Sequence, residues 1–211
     1  MNNILNTPAE VLALDVNDTL IRMESGKLVP MTSCLPDALA EASRTMDLFL
    51  ASNHSHDDAA YHLDLAGVPS NVFTRANTGG LLPSKILSVV FQHHPSACDE
   101  IGKLTAMYGI LATLGIPTEH VIEAISGKRK FDFIVGFGDS EADRMAASVF
   151  GFRYCDVTRL TNGHTLSSIL GGIHRANLQY EGPRWKAVSR PVTSQCPGQR
   201  QPTPLKHPLT K

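Results

Sequence analysis

Val11-Leu12-Ala13-Leu14-Asp15-Val16-Asn17-Asp18-Thr19-Leu20 is an apolar run that ends in a carboxylate, with a short polar turn directly behind it. Four apolar residues without alternation read as a strand buried on both faces, the pattern of a parallel sheet covered by helices. Such sheets keep their ligands at the carboxyl ends of the strands, which is where Asp15 falls. A carboxylate held there can act as a nucleophile, a metal ligand or both.

Two further apolar runs end in the same way. Leu48-Phe49-Leu50-Ala51 leads into Ser52-Asn53, and Phe131–Phe137 leads into Gly138-Asp139-Ser140, with Asp143 four residues beyond Asp139. In a parallel sheet these ends share one edge, so groups far apart in sequence converge. Two carboxylates from different strands make a hard-oxygen site suited to Mg²⁺. Ser52 and its neighbouring backbone N–H groups suit a phosphate oxygen.

Between these runs the chain alternates strand and helix. Ile21–Val29 reads as a β-hairpin around Ser25-Gly26. Pro36 opens a helix, Ser55 and Asp58 have capping-box spacing, and Gly67 and Gly151 each stop a helix. Asn71–Arg75 and Phe152–Cys155 read as short strands. Ile86–Phe91 fits a strand or the start of a helix, Leu104–Leu114 a helix, and Pro117 the start of another. The expected fold is α/β: a doubly wound, mainly parallel sheet with a β-hairpin after its first strand.

The 211 residues carry a net charge of −1, so bulk electrostatics points to neither nucleic acid nor membrane. No apolar run approaches the ~20 residues of a membrane helix, and the start of the chain does not read as a signal peptide. Cys34, Cys98, Cys155 and Cys196 form no CxxC pair and read as reduced thiols of a cytoplasmic protein. Residues 173–211 hold seven Lys or Arg against one acid and six of the 13 prolines. That segment reads as a basic, disordered or loosely docked tail behind a domain of residues 1–172, with Trp185 an anchor on the core or on a protein partner.

The three motifs in order, DVNDTL, LASN and GFGDSEAD, resemble motifs I, II and IV of the haloacid dehalogenase (HAD) superfamily over roughly residues 10–158. The resemblance implies a Rossmannoid, Mg²⁺-dependent phosphohydrolase that works through an aspartyl-phosphate. It makes Asp15 the nucleophile, Ser52 (with Asn53) the phosphate-binding group, Asp139 a direct Mg²⁺ ligand and Asp143 its support. The carbonyl of Asn17 would complete the metal shell. The motif III lysine is Lys103 or Lys85, with Lys103 favoured. The resemblance makes the Ser25-Gly26 hairpin a flap hairpin over the site, and the 36 residues between Asp15 and Ser52 leave no room for a large cap, so at most a small lid is expected.

One residue departs from the pattern. Family phosphatases usually carry an acid two residues after the nucleophile, and Asn17 stands there. An amide cannot relay the proton, and positioned acid–base catalysis contributes ~10²–10⁴-fold. The expectation is therefore a slow phosphohydrolase on a phosphomonoester. The alternative is a catalytically impaired phosphate-binding or regulatory protein. His54 and His56 are candidate substitutes for the missing acid, although solvated loop histidines are the plainer reading. Lys128–Lys130, His93-His94, Arg75 and Asn77–Gly80 read as ordinary turn, helix-end and loop residues.

Overall fold

A computed structural model describes residues 8–76, 81–160, 163–180 and 182 of the chain. A four-stranded parallel sheet has the order β4-β1-β5-β6, formed by β1 (Val11–Leu14), β4 (Asp47–Leu50), β5 (Phe131–Gly138) and β6 (Phe152–Asp156). All four residues of β1 are buried, because the strand is central and helices cover both faces. Val11 and Ala13 pack with α3 (Ser84–His93), α4 (Ile101–Thr113), α5 (Thr118–Ile125) and α6 (Glu141–Val149). Leu12 and Leu14 pack with α1 (Leu35–Ala42), α2 (His56–Leu65) and α7 (Leu166–Gln179) on the other face. The fold is thus a three-layer α/β arrangement.

The hairpin pairs β2 (Ile21–Glu24) with β3 (Lys27–Pro30) antiparallel. Ser25 and Gly26 have φ of 50° and 78°, the left-handed pair that a two-residue type I′ turn requires. β3 touches α2, which follows β4 in the chain. Between Asp15 and Ser52 the chain holds this hairpin, α1 and β4 and nothing larger.

Two expectations change, and one open alternative is decided. Asn71–Arg75 is not a strand: Ser70–Val72 form a 3₁₀ turn, and Phe73 alone bridges to Leu48 at the sheet edge. Ile86–Phe91 lies within α3, with Ile86 and Val90 buried one turn apart. The boundary at residue 172 also moves, because α7 runs to Gln179 and buries Ile173, His174 and Asn177. Asn177 accepts from the Ala9 N–H at 3.0 Å and donates to the Ala9 carbonyl at 2.6 Å, tying the end of α7 to the start of β1. The rest of the expected tail, with Trp185 and Cys196, lies outside the described residues apart from Tyr180 and Gly182, as do Asn77–Gly80. Among the described residues, no helix is long and apolar enough to cross a membrane.

Candidate active site

The register of the sheet builds the site. Leu14 lies beside both Leu50 and Phe137. The Asp15 N–H donates to the Phe137 carbonyl at 2.9 Å, and the Ala51 N–H donates to the Leu14 carbonyl at 2.8 Å. Asp15, Ala51 and Gly138 therefore stand side by side where the strands end, which brings Asp139 to Asp15 and puts Ser52 at the end of the neighbouring strand.

Lys103, the third residue of α4, supplies the cation. Its Nζ lies 2.5 Å from Asp15 Oδ1 and 2.6 Å from Asp143 Oδ1, and it donates to the Ala51 carbonyl at 3.3 Å. Lys103, Asp15 and Asp143 are 6%, 6% and 1% exposed, so this is a buried three-membered ion cluster. Removing one member of such a cluster leaves an uncompensated buried charge. Gly102 permits the approach: a Cβ there would sit 2.5 Å from Asn53 Oδ1. Lys85 is exposed in the first turn of α3, outside this cluster.

Asp143 is fixed from its other side. Its Oδ2 accepts from Ser140 Oγ at 2.5 Å and from the Ser140 N–H at 3.3 Å, while its own N–H donates to Ser140 Oγ at 3.2 Å. This capping box opens α6. Gly138 is required here too, since a Cβ would lie 2.5 Å from Asp143 side-chain atoms. Tyr154 on β6 donates its hydroxyl to the Ser140 carbonyl at 3.2 Å.

The electrostatics follow from the crowding. Burial pushes the Asp15 carboxyl above its ordinary range, Lys103 pulls it back, and Asp143 adds to the rise. Burial opposes charge on Lys103, but Asp15 and Asp143 together outweigh it and raise the ammonium above its usual value. Asp139 is half-buried; desolvation raises its carboxyl, and the Asp143 and Asp18 charges push the same way.

Asp15, Asp139 and Asp143 each offer an oxygen within 4.8 Å of the others. Hard oxygen donors in this number suit Mg²⁺. Three carboxylates against one lysine leave an excess of negative charge that a divalent cation would offset, so the residues fit the metal. Both Asp143 oxygens are already engaged, by Lys103 and by Ser140, which makes Asp143 a support and Asp15 and Asp139 the available carboxylate ligands.

The remaining residues form the outer part. Asn17 is exposed and makes a single bridge to Ile21. The loop behind Asp15 closes when the Leu20 and Ile21 N–H groups both donate to the Val16 carbonyl, at 2.9 and 3.0 Å. Asp18 in that loop has φ of 53°, a left-handed conformation uncommon outside glycine. Ser52 is half-buried, and its Oγ accepts from the His54 N–H at 3.2 Å, which leaves the hydroxyl proton free to donate. Asn53 is exposed beside Gly102.

His54 packs edge-on to His62 and His56 opens α2; neither hydrogen-bonds to the Asp15 cluster. Arg75 pairs with Asp57 at 2.8 Å, Arg129 with Glu123 at 2.7 Å, and His94 Nε2 lies 2.8 Å from the Ile125 carbonyl, so each has a structural partner. Sequence reasoning missed the supporting roles of Gly102, Gly138, Ser140 and Tyr154. A glycine directly before each polar site residue was the one available signal for the first two.

No protein-family model matches the chain, and no curated protein matches it.

Proposed function

We propose that the chain is a Mg²⁺-dependent, HAD-like phosphohydrolase acting on a phosphomonoester through an aspartyl-phosphate on Asp15. The observation that carries this reading is the buried Asp15–Lys103–Asp143 cluster at the carboxyl edge of the sheet. A structural ion cluster has no need of a strand end, a neighbouring half-buried Asp139 and an open serine hydroxyl.

An Asp15 oxygen attacks phosphorus and the ester oxygen leaves with the bonding pair. Lys103 offsets charge on the nucleophile and on the phosphoryl oxygens, and Ser52 donates to one of those oxygens. Mg²⁺, held by Asp15, Asp139 and the Asn17 carbonyl with Asp143 in support, would supply neutralisation of the developing charge. Water then attacks the phosphorus of the aspartyl-phosphate, releasing inorganic phosphate and restoring Asp15.

Asn17 supplies neither the proton for the leaving oxygen nor the base for that water. Turnover is accordingly slow and favours leaving groups stable as anions. The same residue favours a second reading, a phosphate-binding or regulatory protein in which the acyl-phosphate persists.

Hydrolysis of p-nitrophenyl phosphate with and without Mg²⁺ separates the two. Metal-dependent turnover that Asp15→Ala abolishes supports the enzyme. A silent wild type beside an active Asn17→Asp supports the second reading.

A further inference from the structure

Beside the catalytic loop lies a cavity of about 250 Å³ that the chemistry above does not use. Asp18 and Thr19 form one wall, Leu35 at the start of α1 another, and Val157, Thr158 and His164, beyond β6, the third. The cavity thus begins three residues after Asp15, and the Asp18 charge on its wall is felt by Asp139.

Two features of this cavity bear on its occupant. Asp18 holds its left-handed backbone at one wall, and strain of that kind gathers where a loop is shaped for a ligand. Among the described residues the lining contains no lysine or arginine, and nearby Arg159 is paired with Asp156 at 3.0 Å. The walls mix aliphatic side chains with hydroxyls and an imidazole.

We propose that this cavity is the leaving-group site: it takes the uncharged, ring-sized alcohol portion of the phosphomonoester. The proposal deepens the phosphohydrolase reading and rests on it for the word "leaving". Among the described residues, a second phosphate or a carboxylate on that portion would meet Asp18 and neither lysine nor arginine, so a singly phosphorylated substrate suits the cavity better. The volume lies just below the ~300–1,000 Å³ of drug-sized sites, which limits the occupant to about one ring. Aliphatic walls cover the faces of that ring, and the hydroxyls meet its polar edge.

The experiment uses the full chain and two occluding variants at exposed rim positions, Thr158→Trp and His164→Trp. Phenol serves as the uncharged probe, read by saturation-transfer NMR, which needs no turnover. Phenyl phosphate and acetyl phosphate serve as substrates with and without a ring. The wild type is expected to transfer saturation to phenol, and both variants to lose it. Both variants also raise KM for phenyl phosphate about tenfold relative to acetyl phosphate, with kcat moving less than KM. Phenol that fails to bind, or binds equally in both variants, overturns the proposal. If both esters turn over and the KM ratio stays fixed, the leaving-group site falls and the phosphohydrolase reading stands. If neither ester turns over, that reading falls, and the phenol result alone decides whether the cavity is a binding site.

Discussion

The inner and outer halves of the site are built on different principles. Asp15, Lys103 and Asp143 are buried, mutually paired and braced by Ser140 and by two glycines. Asn17, Ser52 and Asn53 sit at the surface with few contacts of their own, and Asp139 is only half-buried. The inner half is preorganised by the protein, so its electrostatics are in place before any ligand arrives. In the proposed reading, the outer half is where ligand and metal would make the contacts that the chain leaves open. Damage to the inner half should therefore appear as lost stability, and change in the outer half as altered rate.

Lys103→Met is the hardest test of that division. It strands two buried carboxylates and is expected to cost about 3–5 kcal/mol in urea unfolding at neutral pH. Lys85→Met, at an exposed helix position, should stay within about 0.5 kcal/mol. Equal effects would break the distinction. Next comes Asn17→Asp, expected to raise turnover of p-nitrophenyl phosphate by ~10²-fold or more while leaving the unfolding midpoint nearly in place. A large loss of stability without a gain in rate would mean that position 17 belongs to the inner half.

Gly138→Ala probes the brace. Its Cβ would need the space of Asp143, so a destabilisation of about 1–3 kcal/mol is expected in the same unfolding assay. A neutral result would show that Asp143 moves freely.

The smallest effect concerns His56, next to the outer half. Burial, with Arg75 adding to it, lowers the His56 pKa below its ordinary value. The unfolded chain therefore binds this proton more readily than the folded one. The stabilising effect is complete above about pH 6.5 and is lost as pH falls towards the folded value. The melting temperature of the wild type should drop slightly more between pH 7 and pH 5 than that of His56→Asn. Parallel curves would remove His56 from the account.

Site residues of both halves were legible from sequence where apolar runs stop at a polar residue. β1, β4 and β5 announce themselves because strands covered by helices on both faces carry no alternation, and their shared carboxyl edge then places Asp15, Ser52 and Asp139 at the ends of neighbouring strands. The hairpin was legible because Ser25-Gly26 separates two short arms. Lys103 was not separable from Lys85 by counting, since distance along the chain says little once α3 takes up the intervening length. Asn71–Arg75 misled because its β-type residues are spent on a 3₁₀ turn and a single bridge. The end of α7 escaped notice because polar groups anchor it: Asn177 bonds Ala9, and His174 Nδ1 lies 2.9 Å from Thr45 Oγ1, which a search for hydrophobic periodicity passes over. The cavity beside Thr19 was invisible for a similar reason, since its walls come from three separate stretches of chain.

Lys103 reaches Asp15 across 88 residues, and it also touches the ends of two other segments through Ala51 and Asp143. A folding chain that has paired β1, β4 and β5 before α4 docks would hold Asp15, Asp139 and Asp143 together with no lysine among them. Repulsion penalises that half-built form, and the arrival of one ammonium group relieves it. The contact that balances the charge of Asp15 is thus also a latch on assembly, and any chemistry at Asp15 would report that the last long-range docking step has taken place.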